Sequence, residues 1–186
     1  MELVRRAAAG SERAMHQLAD RLLNSVRATV HYLAAKDSDA DDLAQLSMIE
    51  ILRAVHSFRG ECRLETWATR IAVRTTMRHL KRRRRGISWL THFRDNPLEQ
   101  PASPDQISET LQMRRRVQQI LCRLPLSQRT ALVLKLVHGF SIEEISDVTD
   151  APPNTVRERL RVARMKFRTY TLKDPVLSEW GKGRLQ

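Results

Sequence analysis

The sequence predicts an all-α protein: two small helical domains joined by a flexible linker, the second a helix-turn-helix. Aromatic residues make up only 5% of the 186-residue chain, and helix formers such as Leu, Ala, Arg, Glu and Gln dominate it. No run alternates apolar and polar residues long enough to suggest a strand, whereas apolar residues recur at helical spacing through two blocks. Between the blocks lies a stretch with no helical period, bearing Pro97, Pro101 and Pro104. Hydrophobic residues reach 41%, enough to build cores.

The first domain is expected over residues 1–85, with breaks at Gly10-Ser11, Lys36-Asp37-Ser38 and Arg59-Gly60-Glu61-Cys62. Ser38-Asp39-Ala40-Asp41-Asp42 opens a helix in which Leu43, Leu46, Met48, Ile49, Ile51, Leu52 and Val55 supply a broad apolar face. Carboxylates in its first turn favour the helix dipole or face a partner. A calcium loop begun at Asp37 would need glycine at Asp42 and glutamate at Met48, so it fails at both. A further helix opens at Leu64. Along it Arg70, Arg74 and Arg78 recur every fourth residue beside Trp67 and Ile71, and it ends in Lys81-Arg82-Arg83-Arg84-Arg85. Basic groups next to an aromatic suit unstacked bases and their phosphates, although Trp67 and Ile71 fit a core equally well.

Residues 86–108 form the expected linker, where Trp89 and Phe93 either pack back on a domain or make a contact of their own. The second domain is expected over 109–172. Leu124-Pro125 breaks it, Ser127 is placed to cap the next helix, and Gly139 ends that helix. Ser141-Ile142-Glu143-Glu144 has the form of a capping box opening a short helix that buries Ile142, Ile145 and Val148. Thr149-Asp150-Ala151-Pro152 is the turn, and a longer helix starts near Pro153. In that helix Val156, Leu160, Ala163 and Phe167 form one apolar stripe. Arg157, Arg161, Arg164 and Arg168 form a second row about 100° away, with Glu158 expected on a third face. Asn154 and Thr155 at the leading end suit base edges in a major groove. A solvated basic face is the alternative, but the capped helix, tight turn and basic long helix together favour DNA binding. A loose tail is expected over 173–186.

The charge agrees. With 33 Lys+Arg against 21 Asp+Glu, the chain carries a formal +12 and a pI near 10.9, which draws it to polyanions. No apolar run approaches a bilayer span, so membrane insertion is not expected, and residues 1–10 do not read as a signal peptide. Cys62 and Cys122 fit reduced thiols of a cytoplasmic protein. The 6 histidines (His16, His31, His56, His79, His92, His138) have no metal spacing and no nucleophile beside them. No catalytic residue, metal or cofactor is expected, so the chain is read as not an enzyme.

Taken in order, the two halves resemble the extracytoplasmic-function sigma factors of bacterial RNA polymerase. In the first half the resemblance lies in Asp39-Ala40-Asp41-Asp42-Leu43-Ala44-Gln45 and in Phe58-Arg59-Gly60 through Thr66-Trp67-Ala68-Thr69-Arg70-Ile71-Ala72. In the second it runs through Leu124-Pro125, Arg129, Ser141-Ile142-Glu143-Glu144-Ile145 and Thr155-Val156-Arg157-Glu158-Arg159-Leu160 to Ala163-Arg164. Departures fall at Leu46-Ser47-Met48, at Asn154 in place of a common glycine, and at Glu158 in place of a common small residue. The resemblance implies that Asp41, Asp42 and Gln45 dock on core RNA polymerase. It implies that Phe58, Arg59, Gly60, Trp67, Arg70, Arg74 and Arg78 handle the −10 region of promoter DNA. It also implies that Asn154, Thr155, Arg157, Arg161 and Arg164 meet the −35 element, and that an anti-sigma factor restrains the protein. A stand-alone helix-turn-helix regulator is the alternative, and a nuclease or recombinase a more distant one.

Overall fold

The computed structural model describes residues 1–34, 40–87 and 109–182, and among them it has helices, one short 3-10 turn at Val55–Ser57 and no strand. The helices are α1 (Glu2–Ala8), α2 (Glu12–Ala34), α3 (Ala40–Arg53), α4 (Leu64–Ile87), α5 (Glu109–Cys122), α6 (Leu126–Leu136), α7 (Ile142–Thr149), α8 (Pro153–Lys173) and α9 (Pro175–Lys182). The expected break at Lys36-Asp37-Ser38, Asp39, and the linker residues Trp89 and Phe93 lie outside the described residues.

In the N-terminal half, α2, α3 and α4 pack on one another, with α1 against α2. Gly10 turns the chain with φ +89°, and the Ser11 hydroxyl then accepts from the Ala14 N–H at 3.4 Å to start α2. Ala14, Leu18, Leu22, Val26, Val30 and Leu33 follow at spacings of three or four and are all buried, so α2 is the central rod. Fully burying each such leucine or valine stabilises the fold by about 1.5–3 kcal/mol. On α3 the expected broad apolar face divides. Leu43, Met48 and Ile51 enter the core, but Leu46 and Ile49 are 39% and 45% exposed. The reason is angular: Leu46 and Ile49 follow Asp42 and Gln45 at i+4 and i+7, on the side opposite the core stripe.

In the C-terminal half, Ser127 does not cap α6; it lies inside that helix, which begins at Leu126 after Pro125 in extended conformation (φ −52°, ψ 144°). Gly139 takes φ +70° beyond the helix end, and the Phe140 N–H closes back on the Leu134 carbonyl at 3.1 Å. The capping box forms as read. Ser141 Oγ accepts from the Glu144 N–H at 3.1 Å, and the Ser141 N–H donates to Glu144 Oε2 at 2.9 Å. Asp150 ends α7 in the left-handed region (φ 50°), and its N–H bonds the Ser146 carbonyl. Val156, Leu160 and Ala163 seat α8 on α6 and α7, with Phe167 packed at the margin. The tail expected to be loose is instead helical through Lys182. Asp174 Oδ1 accepts from the Val176 and Leu177 N–H groups at 3.1 and 3.0 Å, capping α9. Arg116 holds the other oxygen at 3.1 Å, and Leu177 is 3% exposed. An Asp-Pro step carries the capping signal that marks this helix.

The two halves also meet. Leu33, near the end of α2, and Val73 and Met77, midway along α4, join the core cluster of the C-terminal helices. Arg70 Nη2 bonds Glu144 Oε1 at 3.1 Å, and Arg74 Nη2 donates to the Asp147 carbonyl at 2.8 Å, in the last turn of α7 where the helix dipole favours a cation. Thr29 Oγ1 lies 2.9 Å from His138 Nε2, completing the seam.

Two tests follow from this packing. Ile145 is 0% exposed in the C-terminal core, so Ile145→Ala is expected to lower unfolding free energy by about 2–5 kcal/mol in urea titration. Burial holds the His138 pKa below its ordinary value, so the folded state favours the neutral ring. Below about pH 6.5 the unfolded chain then binds more protons, and stability is lost as pH falls through that point toward the lower folded pKa. The shifted carboxylates Asp41, Glu65, Glu143, Glu158 and Asp174 all move down, so their contribution is lost only below about pH 4. A drop in Tm between pH 7.5 and 5.5 is therefore expected for the wild type, and a smaller one for His138→Gln.

Candidate nucleic-acid interface

The basic row of α8 stands outside the C-terminal core. Asn154, Thr155, Arg157, Arg161, Arg164 and Arg168 are all exposed, each one residue or one turn from the buried Val156–Leu160–Ala163 stripe. The leading end is more ordered than spacing alone suggests. Arg157 Nη1 donates to Asn154 Oδ1 at 2.7 Å. Arg161 donates through Nε and Nη2 to the two Glu158 oxygens at 2.8 and 2.7 Å. Glu158 is thus not on a separate face; three residues along a helix bring it beside Arg161. Each group of this pair shifts the other toward its charged form, lowering the Glu158 pKa and raising that of Arg161. Lys135, Arg157, Arg161 and Arg164 rim an open groove floored by Ile142 and Leu160. Arg129, part of the motif run, is elsewhere: it is 7% exposed and reaches Cys122 Sγ at 3.5 Å, a core position rather than a contact surface.

The second basic site is the loop before α4 and the helix it opens. After the 3-10 turn the chain runs extended at Phe58, and Gly60 adopts φ +78°, a conformation in which any L side chain is strained. Arg59, Glu61 and Arg63 are exposed around it. Phe58 and Trp67 stack tilted, centroids 5.3 Å apart and planes at 59°, and both are half-buried against the N-terminal core. Trp67 therefore serves packing on one side and leaves an edge at the surface. The structure does not present Arg70, Arg74 and Arg78 alike. Arg74 and Arg78 are exposed and Arg70 is half-buried, but Arg70 and Arg74 are engaged by α7 through Glu144 and the Asp147 carbonyl.

On α3, Asp42 and Gln45 are exposed and share a face with the outward-turned Leu46 and Ile49. Asp41 sits one residue round, where its Oδ1 accepts from Arg27 Nε at 3.1 Å and lies 3.0 Å from His31 Nε2. The His31 hydrogen bond and the Arg27 charge hold its carboxyl below the usual range. Sequence reading missed this clasp, and it placed Leu46 and Ile49 in one broad apolar face with Leu43, Met48 and Ile51. The i, i+3, i+4, i+7 run of Asp42, Gln45, Leu46 and Ile49 was the available signal for a mixed apolar-polar docking stripe. Among the described residues no group of three or more His, Cys, Asp or Glu side chains is placed to hold a metal ion, and no helix is long and apolar enough to cross a membrane.

Comparison with known proteins places these surfaces in a family. Residues 18–86 match sigma-70 region 2 and residues 114–167 match sigma-70 region 4. The RNA polymerase sigma-H factor of Pseudomonas aeruginosa is 32% identical over 171 residues, covering 88% of this chain and 89% of that protein. The ECF RNA polymerase sigma-E factor of Salmonella typhimurium is 34% identical over 170 residues, covering 87% and 88%. The fold is shared with a solved sigma factor RpoE from Bartonella quintana in complex with the anti-sigma factor NepR (TM-score 0.66, 22% identity, 86% of this chain and 97% of that one). It is shared also with CnrH in complex with the cytosolic domain of CnrY (TM-score 0.62, 23% identity, 92% and 96%). Two matched regions in the family's order, and relatives about one-third identical over 87–88% of the chain, make this chain a member of the extracytoplasmic-function sigma factors of the sigma-70 family.

Proposed function

We propose that the protein binds core RNA polymerase and directs it to promoters by two-point recognition, acting in the cytoplasm as a binding factor without catalysis of its own. The observation that carries this reading is the exposed arginine row on α8, led by Asn154 and Thr155 and backed by a buried stripe that fixes its direction. Asn154, Thr155, Arg157, Arg161 and Arg164 meet the −35 duplex, the leading residues reading base edges and Arg164 holding phosphate. The Phe58-Arg59-Gly60 loop receives an unpaired base of the −10 element. Trp67 stacks near it, and Arg70, Arg74 and Arg78 hold the strand. Unstacking a base costs a few kcal/mol, which loop contacts offset. Asp42 and Gln45, with Leu46 and Ile49, form the polymerase face, and Asp41 shapes it through Arg27 and His31.

Distance makes the reading more specific. A folded chain of this length is about 40 Å across when compact. Duplex elements centred about 25 base pairs apart lie roughly 80 Å apart at about 3.4 Å per pair. One closed molecule cannot reach both, so α7 must leave α4 on the polymerase, freeing Arg70 and Arg74 for nucleic acid. A chain of the length of 88–108 can span at most about 70 Å, which with the width of the two halves is enough to keep both engaged. Control by an anti-sigma factor is part of the same reading, supported by the solved structures of RpoE in complex with the anti-sigma factor NepR and of CnrH in complex with the cytosolic domain of CnrY.

Run-off transcription with purified core polymerase and a promoter library tests the reading. Discrete starts that share two spaced upstream elements are expected only when the protein is added. If polymerase gains no promoter activity while the protein alone grips an operator tightly, it is a free-standing regulator instead. A double change, Gln45→Arg with Ile49→Arg, is expected to weaken capture of core polymerase at least about tenfold with only a small change in Tm, because both side chains are exposed and lie beyond the first turn of α3.

A further inference from the structure

On α8 the row of arginines is held in two different ways. At the leading end each guanidinium is bonded to the residue three positions before it: Arg157 to Asn154 at 2.7 Å, Arg161 to Glu158 at 2.8 and 2.7 Å. Arg164 and Arg168, farther along, make no hydrogen bond or ion pair among the described residues. A solvent-exposed pair at this spacing is screened by water and adds little to the stability of a helix, too little to explain a carboxylate there as a stabiliser. On a face that meets phosphates, an acid also repels the ligand. The geometry offers another reason for it. Glu158 takes the Nε–Nη2 edge of Arg161 in a two-point fork, which fixes the plane of the guanidinium and leaves its Nη1–Nη2 end free. That free end presents two parallel N–H groups, the pattern that spans guanine O6 and N7 in a major groove.

We infer that Glu158 is a positioning residue for base readout: it holds Arg161 in one orientation, so that Arg161 reads a guanine in the upstream duplex element, while the unbonded Arg164 and Arg168 serve as phosphate contacts. This rests on the −35 reading of α8 given above. Fixing the guanidinium before binding removes the ordering cost that a free arginine meets on the DNA. The same carboxylate keeps Arg161 from collapsing onto the nearest phosphate, which turns general affinity into discrimination.

The test is transcript counting from a library randomised across the upstream element, using core polymerase loaded with full-length wild type, Glu158→Ala, Glu158→Gln, Arg161→Ala or Arg164→Ala. The wild type should prefer guanine at one position, and Glu158→Ala should lower that preference about tenfold at that position alone. Holoenzyme carrying Glu158→Ala should bind random duplex more tightly, with a salt dependence steeper by about one phosphate. Glu158→Gln, which keeps one acceptor, should restore part of the preference. Arg161→Ala should erase it, and Arg164→Ala should weaken all sequences alike. A folding defect would lower specific and random binding together, so gain in one with loss in the other marks positioning. An unchanged base profile in Glu158→Ala overturns the inference, leaving the −35 reading intact. So does a preference that survives Arg161→Ala but not Glu158→Ala, since Glu158 would then read the base pair itself. A wild type with no upstream preference overturns both.

Discussion

Guanidinium groups cannot enter a core unpaired, and a chain with formal charge +12 has to fold around that fact. It does so on two long helices by angular separation. On α8 the stripe Val156, Leu160 and Ala163 is buried while Arg157, Arg161 and Arg164, each one residue later, are exposed. On α4 Ala68, Ala72 and Val73 are buried, and Arg74 and Arg78 face outward. Each core therefore aims a row of cations in a fixed direction, and the proposed DNA-binding surfaces follow from how the helices are seated. The buried threonines follow the same economy of unsatisfied groups. Thr76, Thr130 and Thr149 each donate to the carbonyl four residues back, so they sit in the cores without an orphan hydroxyl.

Glu144 connects local and long-range structure. One carboxylate oxygen closes the capping box that begins α7, and the other meets Arg70 of α4. With Arg74 on the Asp147 carbonyl and His138 against Thr29, it joins the halves through a seam that is polar at its rim and apolar at Leu33, Val73 and Met77. The proposed two-point recognition requires this seam to part on the polymerase. On the proposed reading its polar bonds are exchanged for phosphates, and parting it uncovers Leu33, Val73 and Met77, which are buried in the closed arrangement.

Much of this was legible in the residues. The capping box, the turn at Thr149–Pro152 and the α8 stripe are local, and i+3/i+4 arithmetic finds them without tertiary information. What was not legible depended on partners distant in sequence. Nothing near Arg70 announces Glu144, and nothing near Asp41 announces Arg27 and His31 as its clasp. Leu46 and Ile49 were misassigned because apolar identity was read ahead of angular position. Glu158 was set apart from the arginines although three-residue spacing makes it a neighbour of Arg161. Helix α9 was missed because a short segment after Lys173 lacks a long period, and its signals, an Asp cap and one buried leucine, are individually weak.

Two-point recognition across a divided chain has a geometric signature that neither a single-site regulator nor a nuclease shares. Transcription started by the holoenzyme should depend on the spacing of two elements as well as on their sequences, because both halves are held by one polymerase. The direct measurement is initiation from one selected promoter whose spacer is lengthened in single base-pair steps through half a helical turn, about 5 base pairs. The account predicts near-complete loss of initiation at half a turn, with each element still bound when supplied separately. Initiation that persists at every spacing would contradict it, and would mean that only one of the two surfaces reads DNA.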